Sequence, residues 1–402
     1  MRQIILNNII ITGNKVDFEY VIPEELSKFF NSNYNFFYEY QFEFPMKSIP
    51  ESILVIPFVM NLMPFIWLTD TELVVDTLDA KFYSSLPNIE KAFKRIYPNA
   101  DIKGSLIVSK LEVNEYENSN NSTAFFTAGV DAYSTLISNI MDKPILINIW
   151  GGDILLEDKV SHEVSEINFK RISEDLECDY KCIKSSLKFF YNGVYISKFF
   201  KKVLNDAWWH GAQHSIGMIS LIAPFAYEKK ISKHYIASSF TKEAEGRVNC
   251  ISFPFVDNEL KFASCEVIHD GYNKSRMDKL QQIVCYKKDY GKEINLSVCF
   301  NPINGENCNV CEKCMRTIMG IKALKGNPND FGFKVNKEHY LRIKKYIMTN
   351  KLYHTEHWTK IKSIFNDDYD YWIEKKYINW ILDANFNSLI VYLNLIFRRL
   401  KM

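Results

Sequence analysis

From Thr123 to about Gly326 the chain alternates short apolar runs with stretches whose apolar residues recur at helical spacing. TAFFT, PILINIW, YKCIKSS, HYIASS, CEVIH and NLSVCF read as strands. Such alternation predicts a parallel sheet with crossover helices. Residues 1–120 read as a separate α+β region, with strands at RQIILNNIIITG, FEYVIP and NFFYEYQFEFP and a helix at PNIEKAFKRIYP. The polar run NEYENSNNS, Asn114 to Ser122, reads as a linker. Beyond Gly326 the chain is helical and aromatic and ends in the basic FRRLKM. The expected division is therefore 1–120, 121–326 and 327–402, the last a helical extension. The most apolar stretch, Ile53 to Leu68, is short for a membrane span and carries Pro57, Asn61 and Pro64. It reads as buried strands or a core segment.

Composition narrows the class. The 402 residues are 47% hydrophobic and 15% aromatic, which indicates a globular chain with a large core. A net charge of +1 gives no global electrostatic case for nucleic acid, and no basic–aromatic stripe supports one. The first residues hold no long apolar run and no small-residue cleavage site, so no signal peptide is expected. Nine cysteines, an odd number, then suit a reducing cytoplasm, where clustered thiols serve as metal ligands or catalysts.

Four of the nine lie in CFNPINGENCNVCEKCMRT: Cys299, Cys308, Cys311 and Cys314. Two overlapping C-x2-C steps plus one upstream thiolate suit tetrahedral Zn2+. An iron–sulfur cluster also takes four cysteines. With all four positions filled by protein, such a zinc site holds a loop in place and activates no water. NLSVCF before it reads as a buried strand; EKCMRTIMGIKALKG after it reads as a helix, stopped by Gly326 and Pro328.

The second signal is TAFFTAGVDAYSTLISNI, Thr123 to Ile140. A short apolar run ends in Thr127, Ala128, Gly129, Val130, Asp131 and Ala132, and a helix-like pattern follows. Strand, small-residue loop and helix N-terminus together make an anion site, because backbone amides and the helix dipole converge there.

The loop resembles the S-G-G-x-D-S pyrophosphate loop of the PP-loop ATP pyrophosphatases, the adenine nucleotide alpha hydrolase-like superfamily. The cysteine spacing resembles the zinc knuckle of its 7-cyano-7-deazaguanine synthase branch. The resemblance covers about Thr123 to Gly326. It implies an α/β fold: a parallel-sheet PP-loop ATPase (HUP-like Rossmannoid) domain with a zinc knuckle. ATP would bind at residues 127–132 and at Gly152 and Asp153 after the second strand, with Mg2+ on its phosphates. Three positions depart from the pattern: Thr127 keeps a hydroxyl, Ala128 replaces a glycine, and Ala132 loses a hydroxyl. If position 128 needs φ > 0, alanine is strained there.

Further candidates come from their places along the chain. Arg276 and Lys279 lie in the helix after VIHDG; in the resembling family a basic residue there faces phosphates or substrate. Arg316 follows Cys314, where a guanidinium can clamp a phosphate or carboxylate with two bonds. His210 and His214 stand at i, i+4, and His210 is the pocket candidate of the two. Ser238, Ser239 and Thr241 cluster at a strand end, as pocket lining (Ser239 foremost) or as turn caps. Cys178, Cys182, Cys250, Cys265 and Cys285 read as buried inert thiols.

The expected activity is adenylation of a carboxylate or amide by ATP, releasing pyrophosphate, followed by attack of ammonia or an amine. The acid would be a small molecule or a protein terminus. Alternatives are a nucleotide-binding partner protein with little turnover and a sulfur-inserting PP-loop enzyme. No membrane association is expected, and the choice between a monomer, a homodimer and a larger complex stays open.

Overall fold

The computed structural model describes residues 2–386, apart from Asn118, Asn301, Ile303, Asn304, Lys351, Tyr353 and His354. The basic FRRLKM lies outside the described residues. The strands are β1 (Arg2–Thr12), β2 (Lys15–Val21), β3 (Phe37–Tyr40), β4 (Thr71–Asp79), β5 (Ser105–Glu112), β6 (Ser122–Phe125), β7 (Ile145–Trp150), β8 (Tyr180–Ser185), β9 (Lys233–Ala237), β10 (Lys261–Phe262) and β11 (Cys265–Asp270). They form one sheet in the order β10-β11-β9-β6-β7-β8-β3-β2-β1-β4-β5.

Within it, β11-β9-β6-β7-β8 are parallel, in register at Thr123↔Ile145, Leu146↔Tyr180, Thr123↔His234 and Val267↔His234. The chain runs from β6 outward to β7 and β8, then returns to β9 and β11 on the other side. Strand order therefore reverses between β6 and β9, and in open α/β sheets ligands collect beyond the carboxyl ends at such a reversal. From β6 the chain passes directly into the loop that begins at Thr127.

The N-terminal strands extend this sheet, since β3 pairs antiparallel with β8 at Tyr38↔Ser185. Nor is Asn114 to Ser122 a loose connection. Asn114 is buried, and its Nδ2 donates to Asp79 Oδ1 and Ser52 Oγ, both at 3.0 Å. Tyr116 donates to the Ile231 carbonyl at 2.6 Å. Asp79 also caps helix Ala80–Ile96 by accepting from Phe82 N at 2.9 Å. The apolar stretch at 53–68 is a core helix, Ile56–Leu68, buried on all sides up to Trp67. Pro57 sits in its first turn, where no donor is lost; Pro64 stands inside it.

The chain forms two compact units. The first holds residues 1–126, 138–163 and 177–273, and so contains the whole sheet. The second holds residues 127–137, 164–176 and 274–402. Its helices include α1 (Val130–Ser138, whose last residue belongs to the first unit), α2 (Arg276–Tyr290), α3 (Glu312–Ala323), α4 (Lys337–Thr349) and α5 (Thr355–Asp367). The helical extension thus belongs with the cysteine cluster.

NLSVCF is not a strand. Its amides find scattered acceptors instead of a ladder: Leu296 N donates to Phe331 O, Ser297 N to Ala128 O and Val298 N to Asn307 Oδ1. Among the described residues, no helix is long and apolar enough to cross a membrane.

Candidate functional site

The second unit brings Cys299, Cys308, Cys311 and Cys314 together, with all four sulfurs within 4.8 Å of one another. Cys299 and Cys311 Sγ are 3.9 Å apart, Cys308 and Cys314 Sγ 4.0 Å. A tetrahedral ion with bonds of about 2.3 Å separates its sulfurs by about 3.8 Å, so the cluster fits a metal such as zinc. Backbone donors already address it: Cys308 N points at Cys299 Sγ (3.4 Å) and Cys311 N at Cys308 Sγ (3.2 Å). A thiol hydrogen bond from Cys314 draws Cys311 down to about 4 and correspondingly pushes Cys314 up.

Local chain geometry makes this knuckle. Asn309 takes φ 60°, turning the chain between Cys308 and Cys311. Buried Asn307 ties the turn down by donating to Leu296 O at 2.6 Å and Gly332 O at 3.1 Å. Cys311 is the N-cap residue of α3, which places Cys314 and Arg316 on a helix fixed by the cluster.

The loop Thr127–Ala132 lies in the same unit. Ala128 has φ 53° and is fully buried, so the left-handed turn is present without the glycine that usually makes it. Its carbonyl accepts from Ser297 N at 2.8 Å. The amides of Gly129 to Ala132 have no acceptor among the described residues, the usual state of the first turn of a helix. Thr127 is exposed; Val130 and Ala132 are buried.

Asp131, in the first turn of α1, is gripped from α2 by both basic candidates. Arg276 Nη1 lies 2.5 Å from Oδ2, and Lys279 Nζ 2.9 Å from Oδ1. Burial would raise the Asp131 pKa, but the two cations outweigh it and hold the carboxyl below its usual range. Ser275 and Asp278 close a capping box at the start of α2, which fixes both cations on its first turn.

Arg316 lines a small pocket with Arg276, Lys313 and His357, floored by Met277, Leu280 and Ile361. Its volume is about 10 Å³, room for about one water. Arg316 Nε and Nη1 are shut from solvent and have no protein acceptor among the described residues. Burial lowers the Arg316 pKa, with Glu312 acting in the opposite direction. Lys313 and His357 were not singled out in the sequence. Lys313 stands three residues before Arg316 on the same helix, a spacing that could have marked it. His357 arrives from α5, over a separation that leaves no local signal.

The other candidates belong to the first unit. Gly151 (φ 106°) packs so closely on the Ser185 carbonyl that no Cβ would fit. Gly152 is buried and its carbonyl accepts from Lys188 Nζ at 3.0 Å, while Asp153 is exposed. His210 Nδ1 is 2.5 Å from Asp206 Oδ2, on a π-helical turn at Trp209–Gln213. Half-buried His214 is pushed down to about 4 by desolvation. Ser238 Oγ caps its own turn at Phe240 O (2.6 Å), and Ser239 is exposed. Cys178, Cys182, Cys250 and Cys265 are buried; burial raises Cys178 to about 11 and Cys250 to about 12. Cys285, in the second unit, departs from the expected burial and is exposed. No protein-family model matches the chain, and no curated protein sequence matches it.

Proposed function

We propose that the chain is an ATP-dependent adenylating enzyme, as its resemblance to the PP-loop ATP pyrophosphatases implies. One observation carries this reading: the amides of Gly129–Ala132, without an acceptor among the described residues, follow a left-handed turn, with Arg276 and Lys279 on Asp131. Backbone amides and two fixed cations suit the phosphates of MgATP. A substrate carboxylate or amide oxygen attacks the α-phosphorus, and the bond to the β,γ-pyrophosphate breaks. The donors take up charge developing on the leaving pyrophosphate. Ammonia or an amine then attacks the acyl adenylate and displaces AMP. Arg316, whose Nε and Nη1 have no protein acceptor among the described residues, would take one oxygen of the acid substrate or of a phosphate, about the most that its pocket holds. Zinc on the four cysteines would hold α3 and its cations in position and take no part in the chemistry.

A second reading, a nucleotide-binding partner with little turnover, draws on Ala132. Its buried methyl stands where a hydroxyl donor is expected, and one such donor is worth roughly a hundredfold in rate. Sulfur insertion gains no support from Cys178 or Cys250, which are held as neutral thiols. Pyrophosphate release with ATP and a panel of acids, in the natural protein and in Ala128→Gly/Ala132→Ser, separates the first two. Enzyme activity predicts release that rises in the double variant. ATP binding without release in either protein leaves the partner reading, and failure of both to bind adenine nucleotides removes both.

A further inference from the structure

The first unit contains a cleft of about 700 Å³, within the range of small-molecule sites. None of the proposed nucleotide or metal residues lines it. Its walls include Phe30, Tyr195, Trp208 and Trp209, and its two charged residues, Lys28 and Lys188, are both cationic. No acidic residue lines it, so the cleft favours an anion. Lys188 spends one donor on Gly152 O and lies 5.3 Å from the centre of the Trp209 ring. An ammonium has three donors, so two more are available to a ligand. Trp209 is half-buried, so part of its indole stays open to a ligand.

A π-helical turn carries Trp209 and Gln213 of the lining. It widens the helix at Trp209–Gln213, and Tyr97 holds it open by donating to Gly211 O at 2.6 Å. Such bulges recur at functional sites. We propose that this cleft binds a flat aromatic carboxylate: the ring lies on the aromatic wall and the carboxylate meets the two lysines. The proposal does not depend on the nucleotide reading.

Calorimetric titration with quinoline-2-carboxylate, quinoline and cyclohexanecarboxylate tests it. Quinoline-2-carboxylate should saturate one site per chain and bind at least tenfold tighter than either control. Its binding should shift the indole N–H resonance of Trp209, identified by its loss in Trp209→Phe. Lys188→Met and Trp209→Ala should each weaken binding at least tenfold; if Trp209→Ala fails to fold, Lys188→Met decides. Absence of saturable binding by quinoline-2-carboxylate, an unmoved Trp209 resonance, equal affinity for a control, or unchanged affinity in the folded variants would overturn the proposal.

Discussion

Lys279 reaches Asp131 Oδ1 across 2.9 Å with 3% of its side chain exposed. Neither charge is easily given up. Removing one partner of a buried pair leaves the other uncompensated and costs about 3–5 kcal/mol, whereas the intact pair adds little net stability. Asp131→Asn should therefore destabilise by about 2–4 kcal/mol, since the aspartate itself is 21% exposed and partly screened. The pH dependence follows from the lowered carboxyl pKa. Its contribution is full above the unfolded value, about 4, and is lost as pH falls through the folded value. Denaturant unfolding from pH 7 to 2.5 should show this acid loss in the natural protein and a smaller one in Asp131→Asn. Equal acid slopes would mean the ion pair is not formed in solution.

One zinc per chain is expected from metal analysis of protein prepared without chelator. Its thiolate ligands must be deprotonated, so acid should release it, and chelation should unfold the second unit. Cys311→Ser should weaken zinc retention and solubility together, because Cys311 is both a ligand and the N-cap of α3. Iron, or no metal, would overturn the assignment.

Legibility in the sequence followed the range of the interaction. The parallel strands β6 to β9 and β11 were readable because buried strands show as short apolar runs. The cysteine cluster was readable because three of its ligands lie within seven residues. NLSVCF misled because Leu296 and Val298 are buried while the amides of residues 296–298 go to Phe331, Ala128 and Asn307, partners that no local pattern announces. The pairing of β3 with β8 was invisible for the same reason: Tyr38 and Ser185 meet across distant sequence. Ile56–Leu68 has no polar face, so periodicity could not distinguish helix from strand.

Ala128 looks like a defect and is expected to behave as a near-neutral choice. A left-handed alanine costs about 1–2 kcal/mol. Against that, its fully buried methyl contributes about 0.8 kcal/mol, and glycine would lose roughly 0.5–1 kcal/mol more backbone entropy on folding. The terms nearly cancel, so Ala128→Gly should change stability by less than about 1 kcal/mol. Ala128→Val should destabilise by more than about 2 kcal/mol, because a β-branched residue is far worse at φ > 0. Thermal and denaturant unfolding of both variants checks this. A large gain from glycine would mark the turn as strained, and tolerance of valine would mean that the turn is not left-handed in solution.

Arg316 separates a structural arginine from a ligand-binding one. Its Nε and Nη1 are buried without a protein acceptor, and leaving a buried donor unpaired costs about 1–3 kcal/mol. A guanidinium kept for stability would not be left this way. Arg316→Met should therefore hold or raise the unfolding free energy, since it removes a desolvated charge and retains an apolar stem. The same variant should lose the stabilisation that an anion gives. Pyrophosphate or tripolyphosphate should raise the melting temperature of the natural protein and leave that of Arg316→Met nearly unchanged. Where pyrophosphate release is measurable, it should fall more than tenfold, since a hydrogen bond from a charged donor is worth about 1.5–3 kcal/mol. Arg316→Lys should recover only part of the loss, because an ammonium cannot make the paired bonds of a guanidinium. A destabilised Arg316→Met with undiminished anion response would assign Arg316 to the packing of α3 against α5 and remove it from the site.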